Sequence, residues 1–296
     1  MMSLELEQAD STLSFTANEV ELCRYVWRPD NPQRESPRPY LHPLRTLSGD
    51  VVSLYRPHDH VWHKGLSLAL PNVSDANFWG GNTYVHGQGY TQLPNNGSQI
   101  HLNFEQLRTS ENSATVTENL RWDTQGGESV LTERRRFSVR LLPDAWVLEF
   151  RTDLTNTAGR TLEFGSPTTE GRPNAGYAGL FWRGPRSFDN GQVLADGHPD
   201  DQDMMGERSR WLAYVGKHDE VDATSTILFV DDTGSGEPTK WFVRSTPYAC
   251  VCPAPFFDQI TPLPDGETLR LTYRVFIASG SWDRARIEQA VSERVE

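Results

Sequence analysis

Apolar residues return at every second position through much of this sequence. Residues 13–27 (LSFTANEVELCRYVW) alternate imperfectly, as a strand pair does. The runs 100–108 (IHLNFEQLR), 114–122 (ATVTENLRW), 129–140 (SVLTERRRFSVR) and 146–154 (WVLEFRTDL) follow the same pattern, and so do 161–165, 210–215, 226–231, 240–244 and 267–277. A period of two sends successive side chains to opposite faces of an extended backbone, so each run reads as a strand. Turn chemistry separates them: Asn95-Asn96-Gly97, Gln125-Gly126-Gly127, Ala158-Gly159 and Gly234-Ser235-Gly236. Many strands at this spacing predict an antiparallel all-β architecture. No helices alternate with them, which argues against a Rossmann domain or an α/β barrel. One helix is expected at about 281–294, with Ser281 as its cap, Asp283 in its first turn, and Ile287, Ala290 and Val291 on one face. The Pro-rich stretch 29–39 (PDNPQRESPRP) reads as a surface excursion, not a linker, so one domain is expected over 1–296. The Arg134–Arg136 run alternates between faces and reads as a solvated patch.

Composition narrows the partners. A formal charge of −12 over 296 residues makes nucleic acid and anionic membranes poor default partners. Apolar runs such as AWVL and ILFV are too short to span a bilayer. The first residues, MMSLELEQADSTLSF, carry no basic or apolar leader pattern. With only three cysteines, Cys23, Cys250 and Cys252, the expectation is a reducing, cytoplasmic setting. Cys250 and Cys252 fall on one face of a strand and read as small core residues.

Histidine is unevenly spread. Five of the eight, His42, His58, His60, His63 and His86, lie in one segment with Asp59, Trp62, Trp79, Tyr84 and Tyr90. Imidazoles beside aromatic rings are what a polar-ligand pocket needs. His58-x-His60-x-x-His63 also invites a divalent metal. The cupin pattern, however, needs a Glu where Lys64 and Gly65 stand. No metal is assigned, but His60, His63 and His86 would be the ligands of one. His58, after Pro57 in a turn, is set outside the site.

A second constellation spans 165–188 (GSPTTEGRPNAGYAGLFWRGPRSF). Glu170 sits in a polar turn. Arg172 and Arg183 suit an anionic or hydroxyl-rich ligand, and Trp182 offers a flat face to a sugar ring. A third segment, 241–258, carries Arg244, Tyr248, Phe256 and Phe257; it reads as strand and loop packing in preference to a pocket wall. GxGxxG, GxxxxGK and Gly-x-Ser-x-Gly are all absent.

Several of these motifs together resemble the PmoA-like family of bacterial proteins. The carriers are Pro39-Tyr40-Leu41-His42-Pro43-Leu44, Asp59-His60 with His63-Lys64-Gly65-Leu66, Asn77-Phe78-Trp79-Gly80, Val85-His86-Gly87, Glu170-Gly171 and Gly179-Leu180-Phe181-Trp182-Arg183. The borrowed name, that of a methane oxygenase subunit, demands spanning helices that cannot be placed here. The family is similar to the galactose mutarotase-like superfamily. That similarity implies a large antiparallel β-sandwich (a supersandwich) and a sugar or glycoside ligand.

The leading expectation is a carbohydrate-acting enzyme. His60 or His63 would be the acid and Glu170 the base, with His42, His86, Trp79, Arg172, Trp182 and Arg183 holding substrate. Isomerisation, elimination and hydrolysis all use that equipment. A metal-dependent lyase or oxygenase and a non-catalytic sugar-binding module stay open as alternatives, as does pairing into a homodimer through exposed sheet edges.

Overall fold

The computed structural model describes residues 3–200, 202–234 and 236–293. Among these, twenty-one strands, β1–β21 in chain order, and one α-helix make up the regular structure, apart from two short 3₁₀ turns. The first large sheet runs in the order β1 (Leu4–Gln8), β2 (Thr12–Ala17), β3 (Val20–Val26), β4 (Tyr40–Leu44), β5 (Leu66–Ala69), β14 (Gly179–Arg183), β19 (Cys250–Pro253), β18 (Trp241–Arg244). The second runs β15 (Gln192–Ala195), β16 (Trp211–Lys217), β17 (Thr224–Asp231), β21 (Thr268–Ser279), β12 (Ala145–Asn156), β11 (Ser129–Leu141), β10 (Ser113–Asp123), β9 (Ser98–Thr109). Smaller sheets join β20 (Thr261–Leu263), β13 (Leu162–Gly165) and β6 (Asn72–Val73), and pair β7 (Thr83–Val85) with β8 (Gly89–Thr91). Every pairing between these strands is antiparallel. The protein is therefore an antiparallel all-β sandwich with one C-terminal helix.

The period of two decides what fills the space between the two large sheets. On β14, Leu180 and Trp182 point into the main core, while Phe181 and Arg183 point to the opposite face. On β18, Trp241 and Val243 go inward and Phe242 outward; on β19, Val251 goes inward and both cysteines outward. The inward set meets Trp146, Tyr214, Phe229 and Tyr273 of the second sheet. Burial of this kind stabilises by about 25 cal/mol per Å² of apolar surface.

Three local expectations are corrected. Arg135 is not solvated: it lies on the inward face of β11, 1% exposed, and bonds Glu133, Gln99 and Tyr25. The 29–39 stretch is not merely a surface excursion, because Glu35 and Arg38 are 3% and 1% exposed. The helix, α1 (Arg284–Ser292), is capped by Asp283 and not by Ser281; the Asp283 carboxylate accepts the Arg286 amide N–H at 2.8 Å. Its Ile287, Ala290 and Val291 pack on the outer face of the second sheet, as the spacing implied. Residue 294, the expected end of the helix, and the outermost residues of the expected 1–296 domain lie outside the described residues, as does Ser235 of the Gly234-Ser235-Gly236 turn. Among the described residues no helix is long and apolar enough to cross a membrane.

Candidate functional site

The outward face of the first sheet is the floor of a cavity of about 400 Å³. That size lies in the range of small-molecule sites. Phe181 from β14 and Phe242 from β18 form the floor, and Arg244 stands at the end of β18. Three chain segments cover them. The 55–65 loop brings His60, Trp62 and His63; the 77–91 segment brings Trp79 and Tyr90; the 172–177 turn brings Arg172 and Tyr177. Tyr248, in the turn between β18 and β19, closes one side.

One buried guanidinium fixes the cover. Arg38 donates to the backbone carbonyls of Glu35, Ser36, Trp62 and Trp79 and to Ser67 Oγ, at 2.7–3.1 Å. It therefore ties the Trp62 loop and the Trp79 loop to β5. Beneath them, Glu35 accepts from Lys64 and from Arg56. Burial draws the Lys64 ammonium down to about 8, against the raising effect of Glu35. Gly80, with φ +105°, permits the close fit: a Cβ there would lie 2.7 Å from both the Glu35 carbonyl oxygen and Trp62 Cβ.

The two histidines of the cavity are stacked, with ring centroids 4.7 Å apart and planes 14° from parallel. Their hydrogen bonds set opposite tautomers. Asp59 Oδ2 lies 2.9 Å from His60 Nδ1. Partial burial pushes the Asp59 carboxyl up, but hydrogen bonds from His60 and from its own backbone, with the nearby Arg183 charge, outweigh that and hold it ionised, well below the usual range. An ionised carboxylate only accepts, so His60 Nδ1 carries a proton and Nε2 is left as the basic nitrogen. At His63 the order is reversed. Arg183 Nη1 lies 3.1 Å from His63 Nδ1, and an arginine can only donate. Nδ1 is therefore the acceptor, and the proton of the neutral ring sits on Nε2. Burial, reinforced by His60, Arg183 and Arg38, holds the His63 pKa well below its ordinary value, so the ring stays neutral. Arg183 itself is buried, with its guanidinium 3.8 Å from the Tyr248 ring centroid and 3.4 Å from Asp59.

The other expected site residues are dispersed. Trp79 and Arg172 line the cavity with His60 and His63. Arg183 is not in the cavity lining; it contacts His63 at 3.1 Å and Asp59 at 3.4 Å. Trp182 does not face a ligand: it is fully buried among Phe188, Tyr214 and Phe229, and its indole N–H donates to the Val52 carbonyl at 2.8 Å. His42 lies on β4, bonded to Ser53 Oγ at 2.8 Å and stacked on Tyr55. Glu170 is not in the cavity lining; its carboxylate accepts from Asn72 Nδ2 at 3.1 Å, while its carbonyl oxygen lies 3.0 Å from His86 Nδ1. His86 is thus drawn to the Glu170 turn, away from His60 and His63. Among the described residues no three His, Cys, Asp or Glu side chains are grouped to hold a metal ion, so the His60, His63, His86 set does not form. His58 sits outside, 3.3 Å from Arg186. For 241–258 the less favoured reading holds in part: Phe242, Arg244 and Tyr248 are cavity wall. The signal available in the sequence was Arg244: two positions on from Phe242 in a strand, its charge puts Phe242 on the face opposite Trp241 and Val243.

Similar folds occur among solved structures. A putative aldose 1-epimerase from Escherichia coli K12 superposes with a TM-score of 0.38 at 14% identity, over 96% of this chain and 100% of that one. A galactose 1-epimerase from Lactobacillus acidophilus gives 0.43 at 8% identity, over 95% and 100%. An α-galactosidase from Lactobacillus brevis gives 0.43 at 11% identity, and the 97% of this chain that aligns spans only 40% of it. No curated protein matches the sequence. Residues 12–292 match the profile described as "Family of unknown function (DUF6807)", and the chain belongs to that family.

Proposed function

We propose that the chain binds a carbohydrate ring in this cavity and performs proton-transfer chemistry on it. The carrying observation is the stacked His60–His63 pair, with opposite tautomers fixed by Asp59 and Arg183, at the base of an aromatic wall. Flat rings such as Trp62, Trp79 and Tyr177 suit the C–H faces of a sugar, while the imidazole nitrogens and arginines serve its oxygens. His60 Nε2 is the proton acceptor, oriented by Asp59, which also stabilises the imidazolium as it forms. His63 presents Nε2–H. A neutral imidazole that lost this proton would become an imidazolate, so His63 serves as a hydrogen-bond donor to an oxygen gaining negative charge. This division of labour replaces the His/Glu pair expected from the sequence. It suits isomerisation or elimination next to a polarised sugar oxygen. The finer kinship with PmoA-like proteins rests on the motifs alone.

The test begins with a thermal-shift screen of mono- and oligosaccharides, since a ligand of the folded state raises its apparent stability. Turnover of each hit is then followed by NMR. His60→Gln and His63→Gln are each expected to lower turnover by about 10²-fold or more. Glu170→Gln is expected to leave turnover near the parent value. Full turnover by both histidine variants would sink the catalytic reading, and binding without turnover would leave a binding module.

A further inference from the structure

The cavity has the opposite charge to the protein around it. The whole chain carries −12, yet Arg34, Arg172 and Arg244 line this one cavity, and among the described residues no Asp or Glu side chain does. Arginines elsewhere on the surface are commonly neutralised by carboxylates, as Arg121 is by Asp123, Arg151 and Arg270 by Asp153, and Arg286 by Asp144. Among the described residues the three at the cavity have only neutral partners. Arg34 reaches Asn82 Oδ1 at 3.4 Å. Arg172 bonds the Tyr90 hydroxyl and lies 4.6 Å from the Tyr90 ring centroid. Arg244 lies 5.3 Å from the Phe242 and 5.9 Å from the Tyr248 ring centroid, and makes no ion pair among the described residues. Asp59, the acid beside the cavity histidines, is already engaged by His60, Arg183 and Arg186.

Guanidinium groups held by aromatic faces keep their N–H forks free for a planar or tetrahedral anion. A neutral sugar would leave the three cations that line the cavity without a counter-charge. We infer that the ligand is an anionic sugar, a pyranose bearing a carboxylate or a phosphate or sulfate ester. Its ring packs on the aromatic wall, and its acidic group is taken by Arg172 and Arg244, with Arg34 at the rim. This inference rests on the carbohydrate reading of the cavity and specifies the class of sugar.

Matched pairs test it. Binding of D-galacturonate against D-galactose, D-glucuronate against D-glucose, and the 6-phosphate and 6-sulfate esters of both sugars is measured by calorimetry at fixed ionic strength. Oligomers of the same sugars extend the series. At least one acidic member is expected to bind about tenfold or more tightly than its neutral partner, and to weaken as salt is raised. The uronate and ester arms identify which anion is taken. Arg172→Gln and Arg244→Gln, checked for folding by circular dichroism and melting temperature, are expected to reduce that preference to about threefold or less. Arg244→Lys should restore part of it. Equal affinity for acidic and neutral partners would overturn the inference while leaving the carbohydrate reading intact. Failure of every sugar to bind would overturn both. A preference that survives both glutamine variants would overturn the assignment to these arginines.

Discussion

His42 exchanges water for Ser53 and the face of Tyr55, and burial, reinforced by the charges of Arg45 and Arg24, draws its pKa down to about 4. His63 is depressed as well, mainly by burial and then by His60 and Arg183. A depressed histidine ties stability to pH with a definite sign. Above the unfolded value of about 6.5 both states are neutral and stability is complete. Below it the unfolded chain takes up a proton that the folded chain refuses, so stability falls until the folded pKa is passed. For His42 that window runs from about 6.5 to about 4. Its contribution is about 2 kcal/mol after allowing for its partial exposure. Replacing His42 with Gln should therefore flatten, without abolishing, the acid loss of stability; His63, and nearer pH 4 the depressed carboxylates of Glu35 and Asp59, continue it. Urea unfolding at pH 7, 5.5 and 4 measures this directly, and an unchanged slope in the variant would contradict the assignment. Because His42 lies outside the cavity, ligand binding at pH 7 should survive the substitution if the fold does.

At the level of elements, the site is a sheet face roofed by loops, and a roof needs an attachment. The attachment is Arg38, whose five hydrogen bonds join β5, the 35–36 turn and the Trp62 and Trp79 loops. A lysine offers three donors on a single nitrogen and cannot reproduce that fork. Arg38→Lys is expected to lower stability by about 3 kcal/mol and to weaken ligand binding, because His60 and His63 ride on the loop it restrains. Denaturant midpoints and intrinsic tryptophan emission would show both effects; a fully stable variant with unchanged emission would refute this role. Gly80→Ala tests the same roof from the other loop. Its added methyl would meet the Glu35 carbonyl and Trp62 Cβ at 2.7 Å on a backbone that already has φ +105°. A loss of about 1–3 kcal/mol is expected, together with weaker binding. Wild-type affinity in Gly80→Ala would mean that the Trp62 loop is not held by this contact.

Across the whole molecule, what could be read from the sequence follows from which faces are wet. Strand β11 buries Phe137 and Val139 and exposes Arg134 and Arg136, so its period is plain. Strand β14 is buried on both faces, so GLFWR shows no period, and the sequence alone could not send Trp182 to the core and Arg183 to the site. Glu35 and Arg38 were hidden for another reason: buried charge depends on partners far along the chain, here Arg56, Lys64 and the Trp79 carbonyl. His60, His63, Trp79 and Arg172 are legible as a chemical cluster, but the parts that Asp59 and Arg183 play in setting the tautomers are not. The interior holds a second network of this long-range kind. Arg135 on β11 bonds Glu133 at 2.8 Å, Gln99 at 3.0 Å and, across the sandwich, the hydroxyl of Tyr25 on β3 at 3.1 Å. Tyr25 in turn bonds Glu118, and Trp122 and Thr152 each donate to Glu133 at 2.8 Å. Removing only the cation would strand the buried carboxylate of Glu133, whereas Glu118 keeps the His101 ring nitrogen at 2.6 Å. Arg135→Met is accordingly expected to cost about 3–5 kcal/mol, and Glu133→Gln combined with it should recover part of that loss. A double-mutant cycle in urea should return a coupling of about 1 kcal/mol or more between Arg135 and Glu133. Additive losses would show that the two side chains contribute separately.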